Sequence, residues 1–196
     1  MPELNDIDVP DMQLVALVRK GDMNAYEVLV KRYHQKVFGL AMSMVQNEAD
    51  AMDISQETFI RGWKSMSRFE GKSSLYTWLY RITANLAVDV IRRRQSKGTV
   101  PFEEWLPGED AGDETGKLME NQELPDETLS RKELAGAIKE SLAKLSPEHR
   151  AVLVLKEFED LDYKEIADVI GCSIGTVMSR LFYARRNMRK YLKGWI

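Results

Sequence analysis

Residues 162–193 read DYKEIADVIGCSIGTVMSRLFYARRNMRKYLK, and this stretch decides how the C-terminal part of the chain folds. Asp162 stands where a helix N-cap is wanted, and Glu165, three residues on, completes a capping box. Ile166, Ala167 and Ile170 follow at helical spacing. Gly171 supplies the left-handed corner that ends a helix, with Cys172 in the turn as a small packing residue. Ser173 caps a second helix. Its inner face lines up Ile174, Val177, Leu181, Ala184 and Met188; its other faces carry Thr176, Ser179, Arg180, Tyr183, Arg186 and Arg189. Small Ala167, the Gly171 corner and Val177 plugging the angle have the spacing of a helix-turn-helix, whose second helix enters the DNA major groove. From Gly171 to Lys193 there are arginines and lysines and no acid, which suits a phosphate-facing surface. Charge alone fits a helical hairpin with a solvated basic face equally well; the small residues at fixed offsets favour DNA.

Outward from this motif the chain reads as helices. Ser146-Pro147 is a cap followed by proline at the first helical position. Val152, Leu155 and Phe158 carry that helix to a break at Glu159-Asp160. Before it, helices resume near Thr128, with Leu134, Ile138, Leu142 and Leu145 at heptad-like spacing. Residues 98–127 hold ten acids and a single lysine, Lys117, punctuated by prolines and glycines. That composition predicts an acidic linker, in which Phe102, Trp105 and Leu106 are free to dock.

Upstream, Leu75, Leu79, Ile82, Leu86 and Val90 form the core stripe of a helix whose neighbouring face carries Ser74, Thr77, Arg81, Asn85 and Arg92, with Arg93 and Arg94 closing it. Tyr76, Trp78 and Tyr80 interleave. The loop Ser67–Ser74, SRFEGKSS, precedes it. Aromatics, an amide and arginines around a short loop suit unpaired bases; they equally suit core aromatics with a basic last turn. A two-faced helix spans about 49–66, with Met52, Gln56, Phe59, Trp63 and Met66 on its apolar stripe and Asp53, Glu57, Ile60, Arg61 and Lys64 on its polar one. A long helix starts after Asp22, a short one is capped by Asp11, and residues 1–10 form an arm.

The 196 residues carry a net charge of only -3, so any nucleic-acid site must come from local segregation of charge. One cysteine excludes an internal disulfide, and two distant histidines, His34 and His149, read as solvated helix residues rather than a metal set. No phosphate loop, nucleophile motif or metal spacing is present, and no cofactor is implied. No apolar run is long enough to span a bilayer.

Three segments, DISQETFIRGW (Asp53–Trp63), FEGKSSLYTWLYRITANLAVD (Phe69–Asp89) and LSPEHRAVLVLKEFEDLDYKEIADVIGCSIGTVMSRLFYAR (Leu145–Arg185), resemble the bacterial sigma-70 family, in its extracytoplasmic-function branch. The resemblance implies an all-α protein of two small helical domains: region 2 over residues 11–97 and region 4 over residues 128–196. It implies that Asp53, Gln56, Glu57 and Phe59 dock on the clamp helices of the largest subunit of core RNA polymerase. The flap of the second-largest subunit would contact the chain as well. Phe69, Lys72, Ser73 and Ser74 would capture a flipped base of the −10 promoter element, Arg81 and Asn85 would face that element, and Arg92 and Arg93 would track its backbone. Ser173, Thr176, Met178, Ser179, Arg180, Phe182, Tyr183 and Arg186 would form the −35 surface. Several relatives have arginine where Met178 and Tyr183 stand, so guanine readout is not expected there.

The linker resembles a connector that threads the polymerase channel later taken by RNA. The protein would be a non-enzymatic initiation factor in the cytoplasm. An anti-sigma factor would control it in a stress or envelope response and provide any link to the inner membrane. A stand-alone regulator would explain the helix-turn-helix but not the docking helix. A recombinase-like enzyme would need a clustered acidic or nucleophilic site.

Overall fold

The computed structural model describes residues 9–97 and 127–195, so the linker up to residue 126, including Phe102, Trp105 and Leu106, lies outside the described residues, as do residues 1–8 of the arm. Among the described residues the regular structure is all helical: α1 (Asp11–Arg19), α2 (Met23–Val45), α3 (Glu48–Ser65), α4 (Leu75–Lys97), α5 (Glu127–Ala143), α6 (Pro147–Glu157), α7 (Tyr163–Ile170) and α8 (Ile174–Tyr191), with a 3₁₀ turn at Met66–Arg68.

Local side-chain chemistry sets most of the helix starts. Asp22 accepts from the amides of Asn24 and Ala25, Asn47 from Asp50, Ser146 from His149 and Ser173 from Thr176. The Asp162–Glu165 capping box is complete, and Gly171 ends α7 at φ 71°. Asp11 does not cap α1: its carboxylate takes Arg32 Nη1 at 2.5 Å and the Tyr33 hydroxyl from α2 instead.

In the first half, α2, α3 and α4 pack together with α1 across one end. The inner face of α3 is Ala51, Ile54, Ser55, Thr58, Phe59 and Gly62. This corrects the expected stripe: Met52 is 49% exposed and Gln56 is exposed as well. Small residues let the helices approach closely. A Cβ on Gly62 would lie 3.2 Å from the Tyr26 hydroxyl, and Thr58 Oγ1 sits 3.3 Å from Thr83 Oγ1. In the second half, Phe158 is 54% exposed and Ile174 47% exposed, so neither joins the core stripe its spacing suggests.

The two halves share a core. Tyr80, Ala84, Ala87 and Ile91 form a second apolar stripe on α4, in one cluster with Val152, Leu155, Ile166, Ala167 and Val169. Helix α4 is thus buried on two sides, against α2 and α3 and against α6 and α7.

Candidate nucleic-acid interface

Helices α7 and α8 meet at 99°, within the range of a helix-turn-helix. Val177, Leu181 and Ala184 anchor α8 in the core, while Met178, Ser179, Phe182 and Arg186 are exposed and Thr176, Arg180 and Tyr183 half-buried. Several polar groups at its start are committed locally. Ser173 Oγ accepts from the Thr176 amide at 3.1 Å, and Ser179 Oγ donates to the Thr176 carbonyl at 3.0 Å. Arg185 holds Glu157 through two nitrogens, at 2.9 and 2.7 Å. Phe182 packs edge-on against Tyr183, ring centres 5.2 Å apart.

On the first half, Arg81, Asn85, Arg92 and Arg93 are exposed along α4. Arg92 binds Glu148 of α6, with Nε at 3.1 Å. Burial pushes the Glu148 carboxyl up, but the hydrogen bond and charge of Arg92, with the backbone and Arg180, outweigh it and hold the group below its ordinary value. A cleft of about 320 Å³ between the halves is lined by Asn85, Arg92, Glu148 and Arg180, among others. Residues expected at the −10 and −35 elements therefore face one another. Neighbouring His149 is half-buried rather than solvated. Burial, and then the charge of Arg180, lower its pKa against a smaller opposing effect of Glu148.

The loop before α4 is built differently from expectation. Phe69 is 2% exposed, its ring 5.1 Å from that of Trp78, and Arg19 clamps its carbonyl. It is a core residue, which corrects its place as an exposed base contact. Gly71 takes φ 73°, Lys72 pairs with Glu70, and Ser74 Oγ accepts from the Thr77 amide at 3.0 Å as the cap of α4. A smaller cleft holds Lys72, Ser73, Thr77, Trp78 and Arg81 opposite Asp168 of α7. Trp78, which the sequence shows only as one of several interleaved aromatics, lines this cleft.

On α3, Asp53 and Gln56 are exposed, and Glu57 pairs with Arg61 at 2.6 Å. Phe59 is 8% exposed, inside the core beside His34, so it supports the helix rather than presenting a face. Met52 and Ile60 are exposed on the same outer side of α3 as Asp53 and Gln56. The polar stripe read from the sequence already holds Ile60; only the other helical phase brings Met52 out beside it.

A right-angled helix pair with an acid-free basic second helix, backed by an arginine- and amide-bearing face, defines a helical DNA-binding protein of the helix-turn-helix class. The sequence matches Sigma-70 region 2 over residues 29–97 and Sigma-70, region 4 over residues 135–188. It is 37% identical over 187 residues to the RNA polymerase sigma-H factor of Pseudomonas aeruginosa, covering 93% of this chain and 94% of that one. It is 35% identical to the ECF RNA polymerase sigma-E factor of Haemophilus influenzae (89% and 91% covered) and 33% identical to the ECF RNA polymerase sigma factor SigW of Bacillus subtilis (90% and 93%). Among solved structures it is similar to CnrH in complex with the cytosolic domain of CnrY, at TM-score 0.66 and 25% identity, covering 95% of this chain and 99% of that one. It shares the fold of the sigma factor RpoE from Bartonella quintana, solved with the anti-sigma factor NepR, at TM-score 0.58 and 24% identity (86% and 96%). The chain belongs to the sigma-70 family, in its extracytoplasmic-function branch.

Proposed function

We propose that this chain is a promoter-specificity subunit: it binds core RNA polymerase, directs it to promoters with spaced −35 and −10 elements, and assists strand opening without chemistry of its own. The observation that carries this is the pair of sigma-70 matches in order along one chain, the second containing the built helix-turn-helix. The residue roles follow the same reading. Met52, Asp53, Gln56 and Ile60, with Glu57, form the polymerase-docking face of α3. Lys72, Ser73, Trp78, Arg81, Asn85, Arg92 and Arg93 meet the −10 element, with Phe69 and Ser74 shaping the loop from behind. Residues Ser173 to Arg186 meet the −35 element. Work on DNA and polymerase puts the protein in the cytoplasm. The resemblance of RpoE, seen with NepR, supports an anti-sigma partner, which would supply any link to a membrane.

Two DNA elements a full helical turn or more apart are separated by at least about 34 Å. Asn85 and Arg180 share one cleft, so the halves part before both elements are bound.

Run-off transcription on a promoter library, with core polymerase and with or without this protein, tests the reading. Selective initiation at promoters sharing two spaced motifs is expected. Asp53→Ala should weaken polymerase binding, and Asn85→Ala should relax −10 selection. Tight duplex binding without polymerase, and no initiation with it, would instead favour a stand-alone regulator.

A further inference from the structure

Helix α8 carries an apolar edge that neither the core nor phosphate binding uses. Ile174, Met178 and Phe182 recur every fourth residue and are 47%, 53% and 46% exposed. They stand beside the exposed, acid-free face expected to enter the major groove. A base-reading surface selects by what its side chains offer. Guanine calls for a fork of N–H donors, adenine for an amide, cytosine for a carboxylate and thymine for an apolar contact with its C5-methyl. The first two turns of α8 hold no carboxylate and no side-chain amide. The hydroxyls here are committed locally: Ser173 and Thr176 bond each other at 2.8 Å, and Ser173 and Ser179 are bonded to the backbone of Thr176. The one guanidinium of these turns, Arg180, projects from the flank of α8 that lines the cleft, about 200° around the helix from Met178 and Phe182, so it stays off this edge when the halves part. What remains on the outward edge is apolar, and Phe182 is braced by the Tyr183 ring.

We propose that Met178 and Phe182, extended by Ile174, are specificity-determining residues that select thymine in the −35 element through its C5-methyl group. The proposal rests on the promoter-binding reading of α8. It names a DNA occupant because no acid between Gly171 and Lys193 opposes phosphate on either side of the edge.

The test replaces thymine by deoxyuridine, one position and one strand at a time, across the −35 element of the best promoter from a randomised library. Transcription is driven by core polymerase with the full-length protein. Uracil keeps every hydrogen-bonding group and lacks only the methyl. Initiation is expected to fall about fourfold at one or two positions, the worth of one buried carbon of this kind. Met178→Ala or Phe182→Ala should lower initiation on the thymine promoter and abolish the distinction from uracil at the matching position. Met178→Arg should move the preference there toward guanine by about tenfold. Selective initiation that is indifferent to uracil throughout the −35 element would overturn the proposal while leaving the promoter reading intact. The proposal also fails if the alanine variants transcribe normally but lose a protein partner, since the edge is then a protein contact. A lack of any polymerase-dependent initiation overturns both. The uracil scan uses the unaltered protein, so the answer does not hang on how a variant folds.

Discussion

Removing the Arg150 side chain should be the most costly single change at the junction of the two halves. Arg150 lies on α6 and is 5% exposed. Its Nη1 donates to the Met44 carbonyl at 3.0 Å and its Nη2 to the Ala143 carbonyl at 2.8 Å. Both carbonyls belong to last turns, of α2 in one half and α5 in the other, where acceptors lack a helical partner and a cation is favoured. Burial lowers the guanidinium to about 10, which leaves it charged at neutral pH. A hydrogen bond from a charged donor is worth about 1.5–3 kcal/mol net, so two contribute about 3–6 kcal/mol. Nε is buried without a partner among the described residues, and freeing it returns about 1–3 kcal/mol. Arg150→Met, which roughly keeps the volume, should therefore cost about 2–3 kcal/mol. Arg150→Ala adds a void and should cost about 3–5 kcal/mol. With a urea slope of about 2 kcal/mol/M, the alanine midpoint falls by about 1.5–2.5 M. Urea unfolding followed by far-ultraviolet circular dichroism measures it. An alanine shift below about 0.5 M would refute the reasoning, because water would then be satisfying both carbonyls as well as the guanidinium does.

Tyr80 donates to Glu159 Oε2 at 2.6 Å across the halves, so Tyr80→Phe should cost about 1–2 kcal/mol in the same urea assay. Gly171→Ala should cost about 1–2 kcal/mol from backbone strain at φ 71°, with Gly171→Asn recovering much of it. The added Cβ would meet Arg81 Nη2 only at an ordinary 3.6 Å, so a much larger thermal shift would contradict the backbone explanation. For His149 the fold favours the neutral ring, chiefly by burial and then by Arg180. The unfolded chain takes up the proton first, near its ordinary value of about 6.5. The contribution is thus full above that value and lost as pH falls through it toward the lower folded pKa. Stability should drop between pH 7.5 and 5.5, and less so in His149→Gln; equal slopes would contradict this.

Helix starts are legible in the sequence where a cap acts within three residues, as at Asp22, Ser146, Asp162 and Ser173. Asp11 misleads because partners from α2, twenty-one and twenty-two residues away, take its carboxylate. The phase of α3 misleads because its inner face is small and partly polar. Bulk alone turns Met52 inward, whereas Ser55, Thr58 and Gly62 make the close contact. Phe59 and Phe69 belong to motifs whose resemblance marks them as contacts, yet the rings pack inward and their neighbours are exposed. The docking of the halves is hidden for another reason. Tyr80, Ala84, Ala87 and Ile91 are a periodic stripe that any core helix shows, and periodicity does not say which helix will cover it.

That stripe also decides what holds the closed arrangement. The Arg92–Glu148 pair is 59% and 29% exposed, and a pair so placed is worth about 0–1 kcal/mol. The apolar contact of α4 with α6 and α7, with the buried Arg150, therefore carries most of the closure. Salt screens exposed charges and leaves apolar burial intact. Raising salt should weaken the grip on DNA phosphates far more than it loosens the halves. Opening must then be driven by partners with different affinities for the two arrangements. On the proposed reading, polymerase and promoter, engaging α3, α4 and α8 at separate places, would favour the open one. A protein laid across both halves favours the closed one, and one that grips a single half equally well in either arrangement shifts nothing, however tightly it binds.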